Sequence, residues 1–354
     1  MNKNTYNHIR QLIEDSGLIR SFENEKKEYH SFDFSNETIL ITGAAGSVGS
    51  ELSKQIVAGQ FKKLILIDVA ESPLYNLYKD FENEELSKIE FILLNIKEQD
   101  ELKYVFETYK PTIIFHAAAY KHVPLMEAHP YEAIKTNILA TKLLADLSIN
   151  YEVKKFIFIS TDKAVNAISV MGISKRIAEN YLIQQSQSSN TIFSIARFGN
   201  IMGSNGSVLP IFIKQIESHL PLTITSNSIT RYFIGKHKAC HLILQLATFN
   251  KMESNLFTFN MGEPIKLIDI VEVLTKFYPK ETIEMEITGL RPGEKHEETM
   301  ISEDEFIIPT ENEAILQVMR KPNKSLKIKN LNDLEKITPY QSSLEIKRKL
   351  KMYL

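Results

Sequence analysis

The chain has 354 residues, 43% of them hydrophobic and 24% charged, with a net charge of −2; it can bury the core of one large domain or two modest ones, and its charge gives no reason to expect a nucleic-acid partner. A single cysteine, Cys240, excludes an internal disulfide framework and any multi-cysteine metal site, so no metal is expected and a reducing compartment is the natural setting. No run approaches the roughly 18 apolar residues of a membrane span, and the polar start lacks a signal-peptide centre, so a soluble cytoplasmic protein is expected.

Residues 1–36 precede the first apolar run and read as a helical arm. Short β-branched runs then recur with helical patterns between them: "TILIT" (38–42), "KLILID" (63–68), "EFILLN" (90–95), "TIIFHAA" (112–118), "KFIFIS" (155–160) and "TIFSIAR" (191–197). Runs without polar alternation suit strands covered on both faces. The expected fold is therefore α/β, a doubly wound parallel sheet of the Rossmann type with right-handed crossovers.

After Arg197 the rhythm changes. Residues 198–232 are rich in Gly, Ser, Pro and Thr, and "LFTFNMG" (256–262) reads as one more strand. This predicts a sheet domain over 37–200 plus about 233–262. A smaller, discontinuous α/β lobe takes about 201–232 plus 263–330, and a tail takes 331–354. The lysine-rich "KPNKSLKIKNLNDLEKI" reads as solvated surface.

"ITGAAGSVGSEL" follows a predicted strand and opens a predicted helix, with Gly43, Gly46 and Gly49 spaced GxxGxxG. Glycine permits the tight turn and lets backbone approach a pyrophosphate, which the helix N-terminus stabilises. Asp68 ends the second strand, 25 residues after Gly43, and is placed to accept from adenosine ribose hydroxyls. An acid there repels a 2′-phosphate, so NAD is favoured over NADP.

These motifs stand in order with "HAAAYKHVPLME" (116–127), "STDKAVN" (160–166), "MGISKRIAE" (171–179), "RFGNIMGSNGSVLPIF" (197–212), "TRYF" (230–233) and "TGLRPGEKHEE" (288–298). Together they resemble the extended short-chain dehydrogenase/reductase superfamily. Within it they resemble the nucleotide-sugar 4,6-dehydratases of the polysaccharide-biosynthesis (CapD-like) family, which act on UDP-N-acetylglucosamine. The resemblance spans roughly 36–305 and implies a soluble short form, since membrane-anchored members carry helices ahead of this region. It implies a cofactor wall of Ser47, Val48, Asn95, Ile96, Ala117, Ala118 and Ala119. Asn95 stands where the family has an aspartate, and Ala140 where it has a glycine.

Four residues before Lys175, at the family's catalytic tyrosine position, stands Met171. A thioether does not ionise, and the branch with methionine here is the one that retains configuration at C5. The resemblance implies Asp162 as the acid for the C6 hydroxyl and Lys163 as the base at C5. Thr161, Asp162 and water remain alternatives for the C4 hydroxyl proton. Lys175 would bond the nicotinamide ribose, and Met171 would pack against the sugar or nicotinamide.

For the substrate, Lys121 reads as functional and His122 as a satisfied structural histidine. Asn200 and Ser207 offer neutral hydrogen bonds, Arg231 and Arg291 paired bonds to a diphosphate, and Glu294 an acceptor for a uridine ribose. The expected activity is NAD-dependent 4,6-dehydration of UDP-N-acetylglucosamine for surface-glycan amino-deoxysugar synthesis, in a homo-oligomer. A 4-epimerase, a dehydratase for a GDP- or dTDP-sugar, and a non-catalytic NAD-binding scaffold are the alternatives.

Overall fold

A computed structural model describes residues 1–19, 31–250, 252–279, 283–321 and 330–354. All six expected runs form strands: β1 (Asp33–Thr42), β2 (Gln60–Asp68), β3 (Ile89–Leu93), β4 (Ile113–His116), β5 (Lys155–Ile159) and β6 (Ile192–Arg197). They lie side by side in the order β6, β5, β4, β1, β2, β3, every pairing parallel. The seventh run supplies Leu256–Phe259, parallel to β6.

Side chains alternate across this sheet, so each apolar run feeds two cores. Ile39, Ile41, Leu64 and Leu66 are buried on one face, and Leu40, Ile65 and Ile67 on the other. That double burial is why the runs lack polar alternation. The doubly wound sheet is the one expected, and its strand order reverses between β1 and β4, where such folds place their ligands.

Several segments depart from the sequence reading. Glu305–Pro309 and Ile315–Arg320, read as part of the smaller lobe, instead extend the main sheet antiparallel beyond Leu256–Phe259. The arm is a helix, α1 (Lys3–Asp15), capped by the Asn2 side chain, but it is no free extension. Its Ile9, Leu12 and Ile13 are buried with Leu209, Phe212, Ile270 and Val271, the core of the smaller lobe. The first strand also starts earlier than expected, at Asp33, with an irregular register between Phe34 and Thr38.

The tail is likewise buried in part. Leu331, Leu334, Ile337, Ile346 and Leu350 join the main core; within the lysine-rich stretch, residues 322–329 lie outside those described. The last helix, Ser343–Lys351, begins with a capping box between Ser342 and Glu345. No described helix is long and apolar enough to cross a membrane.

Ile13 and Leu350 are both fully buried. Ile13→Ala and Leu350→Ala should therefore each lower the unfolding free energy by about 2–4 kcal/mol in urea melts. A loss under about 0.5 kcal/mol, the size typical of a solvated position, would contradict the packing of that segment.

Candidate active site

The loops after β1 and β4 meet at the reversal point. Gly43 has φ +68°, and a Cβ there would sit 2.6 Å from the Ala118 backbone nitrogen. A Cβ on Gly49 would lie 2.2 Å from the Gly43 carbonyl oxygen. Only glycine permits both approaches. Helix α2 (Ser47–Val57) follows, with Gly46 at its N-cap and no side-chain cap, so its first N–H groups are left for an anion. Asp68, at the end of β2, accepts from the Ala45 and Ala70 N–H groups, each at 2.9 Å. The carboxylate thus fixes the loop that follows β1.

This cradle opens into a cavity of about 570 Å³. Gly43, Gly46, Ser47, Val48 and Gly49 line one side, and Ala117 and Ala119 lie beside them. Thr161, Lys163, Met171, Lys175, Asn200 and Ser207 line the rest. Asp68, Asn95, Ile96 and Ala118 do not. Asn95 turns the chain after β3 by accepting from the Lys97 N–H, and Ile96 is buried in the core. The glycine turn, the uncapped helix end and the acid at the end of β2 suit the dinucleotide expected from the sequence.

Thr161, Asp162 and Lys163 follow β5 directly, and Asp162–Ala164 form one 3-10 turn. Asp162 is fully buried. Its Oδ1 accepts from Thr161 Oγ1 at 2.8 Å and from Lys163 Nζ at 3.0 Å, its Oδ2 has no partner among the described residues, and Asp162 lines neither this cavity nor a second, smaller one. Lys163 Nζ also donates to Asn200 Oδ1 at 3.2 Å. The helix Val170–Gln185 lies against this turn so closely that a Cβ on Gly172 would meet the Lys163 carbonyl oxygen at 2.2 Å.

That helix carries Met171 and Lys175 one turn apart, both buried. Met171 belongs to the apolar core. Lys175 Nζ donates to the Ile159 carbonyl at 2.8 Å and lies 4.2 Å from the Phe158 ring centroid. Burial lowers its pKa to about 7, against a smaller upward pull from Glu179.

A second cavity of about 250 Å³ shares Lys121, His122, Lys163 and Asn200 with the first and extends to Arg231, Arg291 and Glu294. His122 is not a satisfied core histidine: it is exposed to both cavities. Burial, then the charge of Lys121, holds its pKa below the usual histidine value. The satisfied histidine is His116, fully buried between the Thr42 and Thr141 hydroxyls. Burial also lowers the pKa of Lys121.

Arg231, expected to hold a diphosphate, spends its guanidinium on the protein. It donates to the carbonyls of Thr230, Lys295 and His296 and contacts the Glu294 carboxylate. It holds the 294–296 segment in place. Glu294 accepts from Thr225 Oγ1 and the Arg291 N–H, and the exposed Arg291 side chain makes no ion pair among the described residues.

Two supporting groups escaped the sequence reading. Asn137, in a π-helical turn, accepts from the Tyr120 N–H and donates to the Tyr120 carbonyl and Ser174 Oγ. It ties the loop after β4 to the Lys175 helix. Arg197, with no exposure, donates to Glu179 at 2.6 and 2.8 Å and to Glu305 at 2.8 Å, and Ser160 donates to Glu179 at 2.6 Å. An arginine ending an apolar strand was the visible signal.

The Lys175 shift has a definite sign. Its folded pKa lies below its unfolded value, so between about pH 7 and 10.5 the unfolded chain binds the extra proton and stability rises with pH. Relative to Lys175→Met, nucleotide-free protein should gain roughly 2–3 kcal/mol between pH 8 and 10, close to 1.4 kcal/mol per unit. Parallel pH profiles for the two proteins would refute the burial of an uncharged lysine. Gly43→Ala should fold yet lose dinucleotide binding in calorimetry, and binding of ordinary strength would contradict the close approach of the two loops.

The family model described as polysaccharide biosynthesis protein matches residues 39–320. The capsular polysaccharide biosynthesis protein CapD of Staphylococcus aureus is 41% identical over 281 residues, covering 78% of this chain and 47% of the relative. The chain spans about half the length of the first curated relatives it matches. A UDP-glucose 4-epimerase of Rickettsia rickettsii is 33% identical, covering 77% of this chain and 80% of that protein. Among solved structures, Pen from Bacillus thuringiensis is 28% identical with a TM-score of 0.74, covering 83% of this chain and 89% of that one. By sequence across the whole sheet and lobe, and by fold, the chain belongs to the polysaccharide biosynthesis protein family.

Proposed function

We propose that this protein is an NAD-dependent nucleotide-sugar 4,6-dehydratase, with UDP-N-acetylglucosamine as substrate and C5 configuration retained, acting in surface-glycan synthesis. The observation that carries the reading is the Asp162 carboxyl. One oxygen takes two donors, one of them Lys163, which lines both cavities, while the other is buried without a partner among the described residues.

NAD, when bound, would supply the hydride acceptor for C4 of the sugar and the hydride donor for C6. Gly43, Gly46, Ser47, Val48 and Gly49 would hold its diphosphate, Asp68 its adenosine ribose, and Lys175 the ribose nearest the sugar. Oxidation at C4 acidifies the C5 proton. Lys163, steadied by Asn200, removes that proton, and Asp162 delivers one from Oδ2 to the departing C6 hydroxyl. Thr161 Oγ1, which donates to Asp162 Oδ1 at 2.8 Å, would relay the C4 hydroxyl proton to that carboxylate, which then has one to deliver at C6. Met171 contributes shape and excludes water without ionising. Arg291 would meet the nucleotide diphosphate, and Lys121, His122 and Ser207 would line the sugar subsite.

The similarity to a named UDP-glucose 4-epimerase supports a second reading, in which hydride returns to C4. Adjacent Asp162 and Lys163 argue against it, because epimerisation leaves the C6 hydroxyl in place and gives an acid there nothing to protonate.

In single-turnover assays at matched cofactor occupancy, Asp162→Asn and Lys163→Ala should lose roughly 10²- to 10⁴-fold in rate. Met171→Leu should keep most of it, as a volume-conserving swap costing under about 1.5 kcal/mol in stability. Met171→Leu as inactive as Asp162→Asn would overturn the division between packing and proton transfer. In a labelling experiment, deuterium at C4 should reappear at C6 while solvent deuterium enters C5 with the original configuration; an inverted C5 would contradict the retaining assignment.

A further inference from the structure

The larger cavity has Gly43–Gly49 on one side and Ser204–Val208 on another. At one point these walls touch: the Asn205 N–H donates to Ser47 Oγ at 3.0 Å. Ser47 opens helix α2, where the dinucleotide's diphosphate is proposed to lie. From this contact we infer that residues 203–207 are a clasp across the cofactor channel, and that the Asn205–Ser47 hydrogen bond must break before the dinucleotide leaves.

Both ends of the clasp are fixed. At its start, Gly203 has φ +72° and lies so close to the end of α1 that an added Cβ would meet Ser16 Cβ at 2.7 Å. Ser16 itself is held by donating to the Ile13 carbonyl at 2.6 Å, and Ile13 is anchored in the smaller lobe's core. Inside the clasp, Ser204 Oγ accepts from Lys121 Nζ at 3.4 Å, and a Cβ on Gly206 would collide with the His122 ring at 2.6 Å. Beyond it, Leu209 is buried in the same core as Ile13. The clasp therefore links the α1 end, the sugar subsite and the cofactor loop. Asn205 is exposed, so the closing bond opens without disturbing the core.

This inference rests on the dinucleotide reading and adds a consequence for it. A reaction whose hydride leaves and returns within one cycle gains nothing from cofactor exchange, and a clasp that slows exchange keeps the loaded enzyme ready for the next sugar.

The test is exchange of bound NAD for labelled NAD in the full-length, NAD-loaded protein. Asn205→Pro removes the N–H and Ser47→Ala the acceptor; each should speed exchange roughly three- to tenfold, the factor one net protein hydrogen bond carries. Because both remove the same bond, the double variant should exchange no faster than the faster single. Asn205→Ala, which keeps the N–H, should exchange at the wild-type rate. Wild-type exchange in Asn205→Pro, or effects that multiply in the double variant, would overturn the clasp. If Asn205→Pro fails to fold in thermal melts, Ser47→Ala against Ser47→Thr decides: only loss of the hydroxyl should speed NAD uptake and release, both by the same factor, and equal rates, or faster release with affinity lost, overturn the proposal. Wild-type protein that exchanges NAD as fast as Ser47→Ala while converting nucleotide sugar overturns the clasp alone. Protein that takes up no dinucleotide overturns both the clasp and the cofactor reading.

Discussion

Arg197 is a charge with no access to water, and the site is organised around keeping it paired. Burial pushes the carboxyl of Glu179 up, yet Arg197, Arg176 and Ser160 together hold it below the usual carboxylate range. Glu305, pushed up by burial and pulled down chiefly by Arg197, ends at about 2. A buried charge deprived of its partner is strongly destabilising, so the groups that carry these charges have little freedom to move. Arg197 ends β6, Ser160 directly follows β5, Glu179 lies on the Lys175 helix and Glu305 begins the antiparallel edge. One cluster therefore sets the relation of four elements.

The proposed catalytic groups are hung from that cluster. Thr161 and Asp162 come immediately after Ser160, and Lys175 lies one turn before Glu179. Gly172 lets the helix touch the Lys163 carbonyl; Lys163 and Lys175 both line the larger cavity, with Asp162 buried beside Lys163. Lys175 in turn experiences two opposed effects, burial against the nearby carboxylate, and the first is larger.

Local pattern carried much of this into the sequence. Apolar runs reported the strands because two-sided burial leaves no polar alternation to confuse them. The glycine spacing marked a turn that only glycine can make, and the adjacency of Asp162 and Lys163 survives folding because neighbours stay neighbours. Partnerships across long separations were not legible. Nothing near Arg197 announces Glu305, 108 residues further on, and nothing near Arg231 shows that carbonyls of 295 and 296 use its donors. The same limit hid the edge strands at 305–320 and made the tail look solvated: its lysines are obvious, whereas the few leucines and isoleucines that anchor it become core only when the helices come together. The exposure of His122 was hidden for a related reason, since burial of a single histidine depends on what the loop after β4 meets.

Asp162 and Lys163, side by side, are proposed to remove water from a nucleotide sugar. Product mass tests it most directly. Purified protein incubated with UDP-N-acetylglucosamine should give a product lighter by one water that still carries its nucleotide. A product of unchanged mass with C4 inverted would contradict the account and establish the epimerase instead.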